Sequence, residues 1–254
     1  MDAVGFIGCG RMGRALVEAL IAARALEPAQ AVVSTRTPER VRDLPRRHPG
    51  LRLGAENAEV ARACGRIVLA VKPAQIPEVV AEIAPALRPG AHLVSLAVCV
   101  KMEVIARAAC TRITRAIPSV AVAARAGVTL VCHNELVGAE DAAWIERLLS
   151  PVGEVMVVDE DELDAASTLT GAGPAFIAAA CQEVARALHA ASGIDPGRAE
   201  RMAADEVIER VATRGGITED GLRVLRRELP DLLAAVHQAT AEKSALVQTA
   251  VESR

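Results

Sequence analysis

The chain of 254 residues reads as an α/β protein in two parts, a doubly wound, mostly parallel sheet followed by an all-helical C-terminal region. Three observations predict this. Short β-rich runs alternate with helical patterns through residues 1–158, as in a series of crossover units. The runs are almost continuously apolar, as strands covered on both faces are. From Asp159 onward no run reads as a strand, and alanine, leucine and glutamate dominate, so a second domain is set at 159–254.

The expected strands are VGFI (4–7), AVVS (31–34), RIVLAV (66–71), HLVSLAV (92–98), RITRAI (112–117), VTLVC (128–132) and EVMVV (154–158). Between the early ones lie helical segments at Arg11 to Ala23, Pro38 to Leu44, Asn57 to Ala63 and Gln75 to Leu87. The first carries Met12, Leu16 and Leu20 on one face. In the C-terminal part, helices are expected from Leu163 or Pro174 through Ala191 and from Pro196 through Val211. Two more are expected from Thr218 through Glu228 and from Pro230 to near the end. Pro196 suits a first helical position. So apolar a helical array, attached to one sheet, is expected to bury a face in a second subunit.

Composition narrows the function classes. A hydrophobic share of 52% against 24% charged residues marks a folded chain with ample core. A net charge of −3 gives no reason to expect nucleic acid or an acidic membrane as partner. Phe6, Trp144 and Phe176 are the only aromatic residues, which argues against stacking platforms. Six cysteines without a CxxC pair read as free thiols of a reducing cytosol. The five histidines lack metal-ligand spacing, so no metal site is expected. The chain runs from Met-Asp straight into AVGFIG and holds no apolar run of spanning length, which predicts a cytoplasmic protein.

The first strand leads directly into Gly8-Cys9-Gly10-Arg11-Met12-Gly13, and a helix follows. In that context Gly8 makes a tight turn, Gly10 lets a pyrophosphate approach the backbone and Gly13 lets helix and strand pack closely. The helix N-terminus adds free N–H groups and positive partial charge. This is the loop of a Rossmann-like dinucleotide domain. An NAD site ends the second strand with an acid, whereas this chain places Ser34, Thr35, Arg36 and Thr37 there. Hydroxyls and a guanidinium suit a 2′-phosphate, which favours NADP, with Arg36 as the bidentate partner. ENAEV (56–60) and AVKPAQ (70–75) follow other strand ends, where such sheets bind ligands. Lys72 is assigned to cofactor contact.

The ordered motifs GFIGCGRMGRAL, STRTPER, ENAEV, AVKPAQ, TRAIPSVAVAARAGVTL, LTGAGPAFIAAACQEVARAL, SGIDPGRAE and RGGITEDGL resemble pyrroline-5-carboxylate reductase across almost the whole chain. The GAGPAF segment followed by Gly-Gly-x-Thr is the most specific part. The resemblance implies an N-terminal dinucleotide domain, a helical C-terminal domain that forms a homodimer or a multiple of dimers, and NADPH-dependent reduction of a cyclic imine carboxylate. It implies that Gly215 and Gly216 bind the substrate carboxylate through backbone N–H groups and that Thr218 bonds the ring nitrogen. It places Ser34, Arg36, Asn57, Val71, Lys72 and Pro73 along the cofactor. The chain departs from the family pattern at Ile117-Pro118-Ser119, where Met-Pro-Asn is usual, and at Val98-Cys99, where Ala-Gly is usual. It departs again at Thr213-Arg214, where Ser-Pro precedes the paired glycines, and the region before them is about one helix shorter.

Hydride transfer to C=N needs positioning and a donor near nitrogen rather than a nucleophile, so Thr218 is the expected catalytic residue. Thr218 also reads as a plain helix cap behind a glycine turn. Arg214 either adds a carboxylate contact or points to solvent. Two alternatives stand beside the main reading, a reductase of a different cyclic imine carboxylate and a non-catalytic NADP-binding sensor. A hydroxyacid dehydrogenase would need a lysine or histidine on the long helix, where only His189 occurs.

Overall fold

In the computed structural model, which describes residues 3–172 and 217–253, the β-rich runs pair into an eight-stranded sheet. Its strands are β1 (Val4–Ile7), β2 (Ala31–Ser34), β3 (Arg52–Leu53), β4 (Arg66–Leu69), β5 (His92–Ser95), β6 (Arg112–Pro118), β7 (Gly127–His133) and β8 (Gly153–Val157). They lie in the order β3-β2-β1-β4-β5-β6-β7-β8, all parallel except the antiparallel β6–β7 pair. β3 is a two-residue edge strand, too short to show any period in the sequence. β4 and β5 stop two and three residues earlier than their apolar runs do. The N–H of Ala70 still bonds Ile7 and that of Leu96 still bonds Leu69, after which the chain turns out of the ladder.

Alternation along each strand divides the core between the two faces. Phe6, Val33, Val68, Val94 and Val131 point one way, onto α1 (Arg11–Ala22) and α6 (Ala139–Leu149). Ile7, Val32, Ile67, Leu69, Leu93 and Ile113 point the other way, onto α3 (Asn57–Ala63), α4 (Ile76–Ile83) and α5 (Met102–Ala108). Burial on both faces is what makes the runs continuously apolar rather than alternating.

The expected helix over Pro38 to Leu44 is instead a 3₁₀ turn, Pro38–Arg40, and then a single turn, α2 (Leu44–Arg47). Pro38 and Pro45 both favour starting a helical turn over continuing one. The segment from Gln75 to Leu87 is helical as α4 between two 3₁₀ turns, with Pro73, Pro77 and Pro85 each near a turn's start. α5 and α6 are not singled out by the sequence pattern.

α7 (Glu160–Ser167) opens on three acids, Glu160, Asp161 and Glu162, which suit the positive end of its dipole. It packs on β7 and buries Leu163 among Ile117, Leu130 and Cys132. The expected break before Pro230 is absent, because α8 (Ile217–Glu252) runs through it without interruption. A mid-helix proline costs about 3 kcal/mol, and the alanine-, leucine- and glutamate-rich flanks are strong helix formers that offset it. The sheet, its flanking helices and the end of α8 form one compact unit, Met1–Gly171 with Ser244–Arg254, and Ala172–Lys243 form another. Within the first unit Val247 and Val251 of α8 pack among the residues beneath α4 and α5. Among the described residues no helix is long and apolar enough to cross a membrane.

Two histidines share one hydroxyl inside the sheet. The Thr114 Oγ1 lies 2.8 Å from His92 Nε2 and 2.8 Å from His133 Nδ1. A hydroxyl donates one hydrogen, so one imidazole donates to it and the other accepts. Buried His92 Nδ1 has no partner. The arrangement without an orphaned N–H has His92 donating to Thr114 and Thr114 donating to His133. Burial pushes the pKa of His92 from 6.5 down to about 4, and burial lowers that of His133 too. Between those values the unfolded chain binds a proton that the folded chain refuses. Stability is therefore full above about pH 6.5 and falls as the pH drops toward 4. Urea unfolding should show a loss of about 2 kcal/mol between pH 7 and pH 5 from His92 alone; an unchanged midpoint contradicts this.

Candidate active site

The order of winding reverses between β1 and β4, which opens a crevice at their C-terminal ends. Gly8 leaves β1 there with its N–H bonded to the Ser34 carbonyl at 2.9 Å. Its φ of +83° is left-handed, and a Cβ would sit 2.5 Å from Val71 Cγ1 and 2.9 Å from Val71 N. At Gly13 a Cβ would sit 2.6 Å from the Gly8 oxygen and 2.8 Å from Ala70 Cβ. A Cβ on Gly10 would meet nothing within 4 Å. Two of the glycines are thus required by the fold itself. The third leaves space in front of the helix, the room a pyrophosphate needs.

α1 begins at this space with no side-chain cap and no acid in its first turn. Its leading N–H groups remain available to an anion. Cys9, between the glycines, is 2% exposed, and burial pushes its thiol up to about 11, which keeps it protonated and inert.

The end of β2 forms one wall. Ser34 is buried, and its hydroxyl donates to Asn57 Oδ1 at 2.8 Å. Asn57 Nδ2 in turn donates to Glu82 Oε2 at 2.9 Å, so the amide is oriented from both sides. Thr35, Arg36, Thr37 and Arg40 follow along the crevice. Among the described residues neither the Arg36 nor the Arg40 guanidinium has an ion pair. The facing wall is Ala70, Val71 and Lys72, then Gln75, and then Glu78, Val79 and Glu82 of α4. The enclosed space is about 170 Å³.

Of the residues singled out by sequence, Gly8, Cys9, Gly10, Arg36, Asn57, Val71 and Lys72 meet in this crevice. Ser34 stands behind Asn57, Gly13 lies beneath the turn, and Met12 packs against the core below α1. Pro73 starts the 3₁₀ turn Pro73–Gln75. Arg11 lines a separate groove on α1 rather than the crevice. Gly215 and Gly216 lie outside the described residues, as does Arg214. Thr218 lies at the opening of α8, where only its backbone is described. Arg40 and Glu82 are not found by sequence reasoning. Arg40 had a signal, falling four residues after Arg36 in STRTPER, but Glu82 had none, since its reach depends on how α4 docks. Among the described residues no cluster of histidine, cysteine and acids could hold a metal ion.

The different demands on the glycines are testable. Gly8→Ala should lower the melting temperature, since a left-handed alanine costs about 1–2 kcal/mol even before the contact with Val71. Gly10→Ala should change stability by less than about 1 kcal/mol yet weaken dinucleotide binding at least tenfold. Thermal unfolding beside NADPH fluorescence titration separates the two; a Gly10→Ala protein that binds normally removes the crevice as the pyrophosphate site.

Comparison with known proteins agrees with this geometry. A family model described as NADP oxidoreductase, coenzyme F420-dependent, matches residues 3–99, and one described as pyrroline-5-carboxylate reductase dimerisation matches residues 160–246. The chain is 31% identical to pyrroline-5-carboxylate reductase 3 of Bacillus subtilis, covering 97% of both chains. That alignment spans 266 positions, so the relative carries residues with no counterpart here. A solved pyrroline-5-carboxylate reductase from Coxiella burnetii is 28% identical and superposes with a TM-score of 0.84 over 97% of this chain and 98% of its own. The fold is shared with a Plasmodium falciparum pyrroline carboxylate reductase solved with NADP bound, at 21% identity and a TM-score of 0.82 over 97% and 98% of the two chains. On sequence and fold together, this chain belongs to the pyrroline-5-carboxylate reductase family.

Proposed function

We propose that the chain reduces 1-pyrroline-5-carboxylate to proline, with NADPH as the reductant and a homodimer as the working unit. The observation that carries this is the crevice at the β1–β4 reversal, with an uncapped helix N-terminus and two arginines that have no ion pair among the described residues, in a chain of this family. The residues fit the cofactor. Gly10 leaves room for the pyrophosphate, and no carboxylate stands at the end of β2 to repel a 2′-phosphate.

NADPH, when bound, supplies the hydride that the C=N carbon accepts. The first-turn amides of α1 would hold the pyrophosphate, and Arg36 with Arg40 would hold the 2′-phosphate. Asn57, oriented by Ser34 and Glu82, would meet the adenosine ribose. In this reading Gly215 and Gly216 would hold the substrate carboxylate through backbone N–H groups, and the Thr218 hydroxyl would serve the ring nitrogen. Nitrogen gains a proton as carbon gains hydride, so a donor there favours the iminium-like state. The region 160–246 supplies the dimer contact. Cys9, Cys64, Cys99 and Cys132 are buried free thiols, which suits a cytoplasmic enzyme.

Arg36→Ala should weaken NADPH by about 1.5–3 kcal/mol, the loss of a charge-assisted bond, and leave NADH nearly unchanged. Equal losses for both cofactors remove Arg36 from the 2′-phosphate.

The activity is tested by NADPH oxidation with 1-pyrroline-5-carboxylate and with larger-ring imine carboxylates. Turnover of the five-membered ring is expected; turnover of only a larger ring, or tight NADPH binding without turnover, contradicts it. Thr218→Ala should lower kcat/KM by about 1–3 kcal/mol, roughly five- to 150-fold. An unchanged rate reduces Thr218 to a helix cap.

A further inference from the structure

A groove of about 530 Å³, larger than the cofactor crevice, runs along the outer face of α1. Its floor is made of small residues, Ala15, Ala19 and Ala22 of α1 with Ala123 from the 3₁₀ segment Val120–Ala124. Arginines wall it. Two of them are committed. Arg14 donates to both carboxylate oxygens of Asp43, at 2.9 and 2.5 Å, and to Glu18 at 3.4 Å. Arg47 donates to the same Glu18 at 2.5 Å. Asp43 and Glu18 therefore balance Arg14 and Arg47, and the four side chains hold one another in place.

Two further cations on the groove, Arg11 and Arg125, have no ion pair among the described residues, which leaves the groove with two uncompensated positive charges. His48 also lines it, and its buried Nε2 has no hydrogen-bond partner, the Glu18 oxygen being 3.8 Å away. Wall and floor together specify a ligand, with two negative charges to match Arg11 and Arg125 and a short apolar body to cover the alanines.

We propose that this groove is a second binding site, separate from the cofactor crevice, for a small organic dianion such as a phosphate monoester. It adjoins the crevice through α1, since Arg11 opens the helix whose N-terminus faces the crevice. Occupants of the two sites share α1, whose first turn offers backbone N–H groups to the crevice and the Arg11 side chain to the groove.

Phenyl phosphate carries both features and inorganic phosphate only the charge, so the two serve as probes. Each is titrated calorimetrically into the full-length protein, with and without saturating NADPH. Two variants alter the groove without touching the crevice. Arg125 has a left-handed φ of 57°, so Arg125→Asn removes the charge with a residue that tolerates this backbone. Ala22→Glu places a carboxylate at an exposed helical position on the floor. The expected result is one saturable site for phenyl phosphate in the NADPH-loaded protein, weakened at least tenfold in both variants. Inorganic phosphate should bind at least tenfold more weakly than phenyl phosphate. The proposal is overturned by absence of saturable binding, by displacement with NADPH, or by variants that bind like the parent. It is overturned equally if Arg125→Asn changes only the oligomeric state, which would make the groove a contact between copies. Failure to bind NADPH would defeat the proposed reaction while leaving the dependence on Arg125 to be read.

Discussion

The approach of α1 to β1 and β4 governs the rest of the site. A side chain at Gly13 would collide with the Gly8 carbonyl and with Ala70, so only glycine lets the helix lie this close. Closeness has two results. It brings Leu16, Val17 and Leu20 onto Phe6 and Val68, where each buried side chain stabilises by about 1.5–3 kcal/mol. It also fixes the uncapped N-terminus of α1 at the strand ends, where the winding reverses. The same contact that closes the core thus aims the helix dipole into the crevice. The alanine-floored groove follows as well, since a helix pressed into the sheet on one side leaves its other side to meet α2 and Val120–Ala124.

A second constraint fixes where the helical region begins. Arg115 of β6 is fully buried, bonded to Glu160 at 3.2 Å and Asp164 at 2.6 Å, both from α7. Those carboxylates also accept N–H bonds from Met102 and Cys99. Desolvating a guanidinium costs several kcal/mol, and the pairs offset rather than exceed it. The network's contribution is therefore to specificity of position, because moving α7 away would take both carboxylates from the buried guanidinium. It also reaches Cys99, one of the two residues at Val98-Cys99 that depart from the family pattern. Cys99 has a left-handed φ of 60°, the conformation that the glycine of the family pattern takes without strain. The bond from its N–H to Asp164 helps hold a cysteine in that conformation.

The sheet was legible because burial on both faces writes continuous apolar runs, and the glycine loop because its steric demands are local. Each glycine's role follows from residues within a few positions or from the strand beside it. The breaks in helices were less legible, since proline acts oppositely at different places. Pro38 and Pro45 start short turns, whereas Pro230 sits inside a helix that its flanks sustain. Least legible were contacts set by docking. Nothing in the local sequence ties Glu82 to Asn57, Arg115 to Asp164, or Arg11 to a groove rather than to the cofactor, because each depends on how separate elements pack.

The crevice holds charges of both signs, and their balance bears on cofactor choice. The acid that an NAD site places at the end of the second strand is absent, yet Glu82 reaches Asn57 from the opposite wall. Its carboxylate would repel a 2′-phosphate. At this exposed position, however, a like charge at contact distance costs only about 1 kcal/mol, because water screens it. In the proposed assignment, charge-assisted hydrogen bonds from Arg36 and Arg40 to that phosphate would each be worth about 1.5–3 kcal/mol. Among the described residues neither arginine has an ion pair to give up. The attraction exceeds the repulsion at the low end of these values, so the crevice still favours NADPH. Glu82's remaining effect is on orientation, since with Ser34 it fixes the position of the Asn57 amide in the crevice.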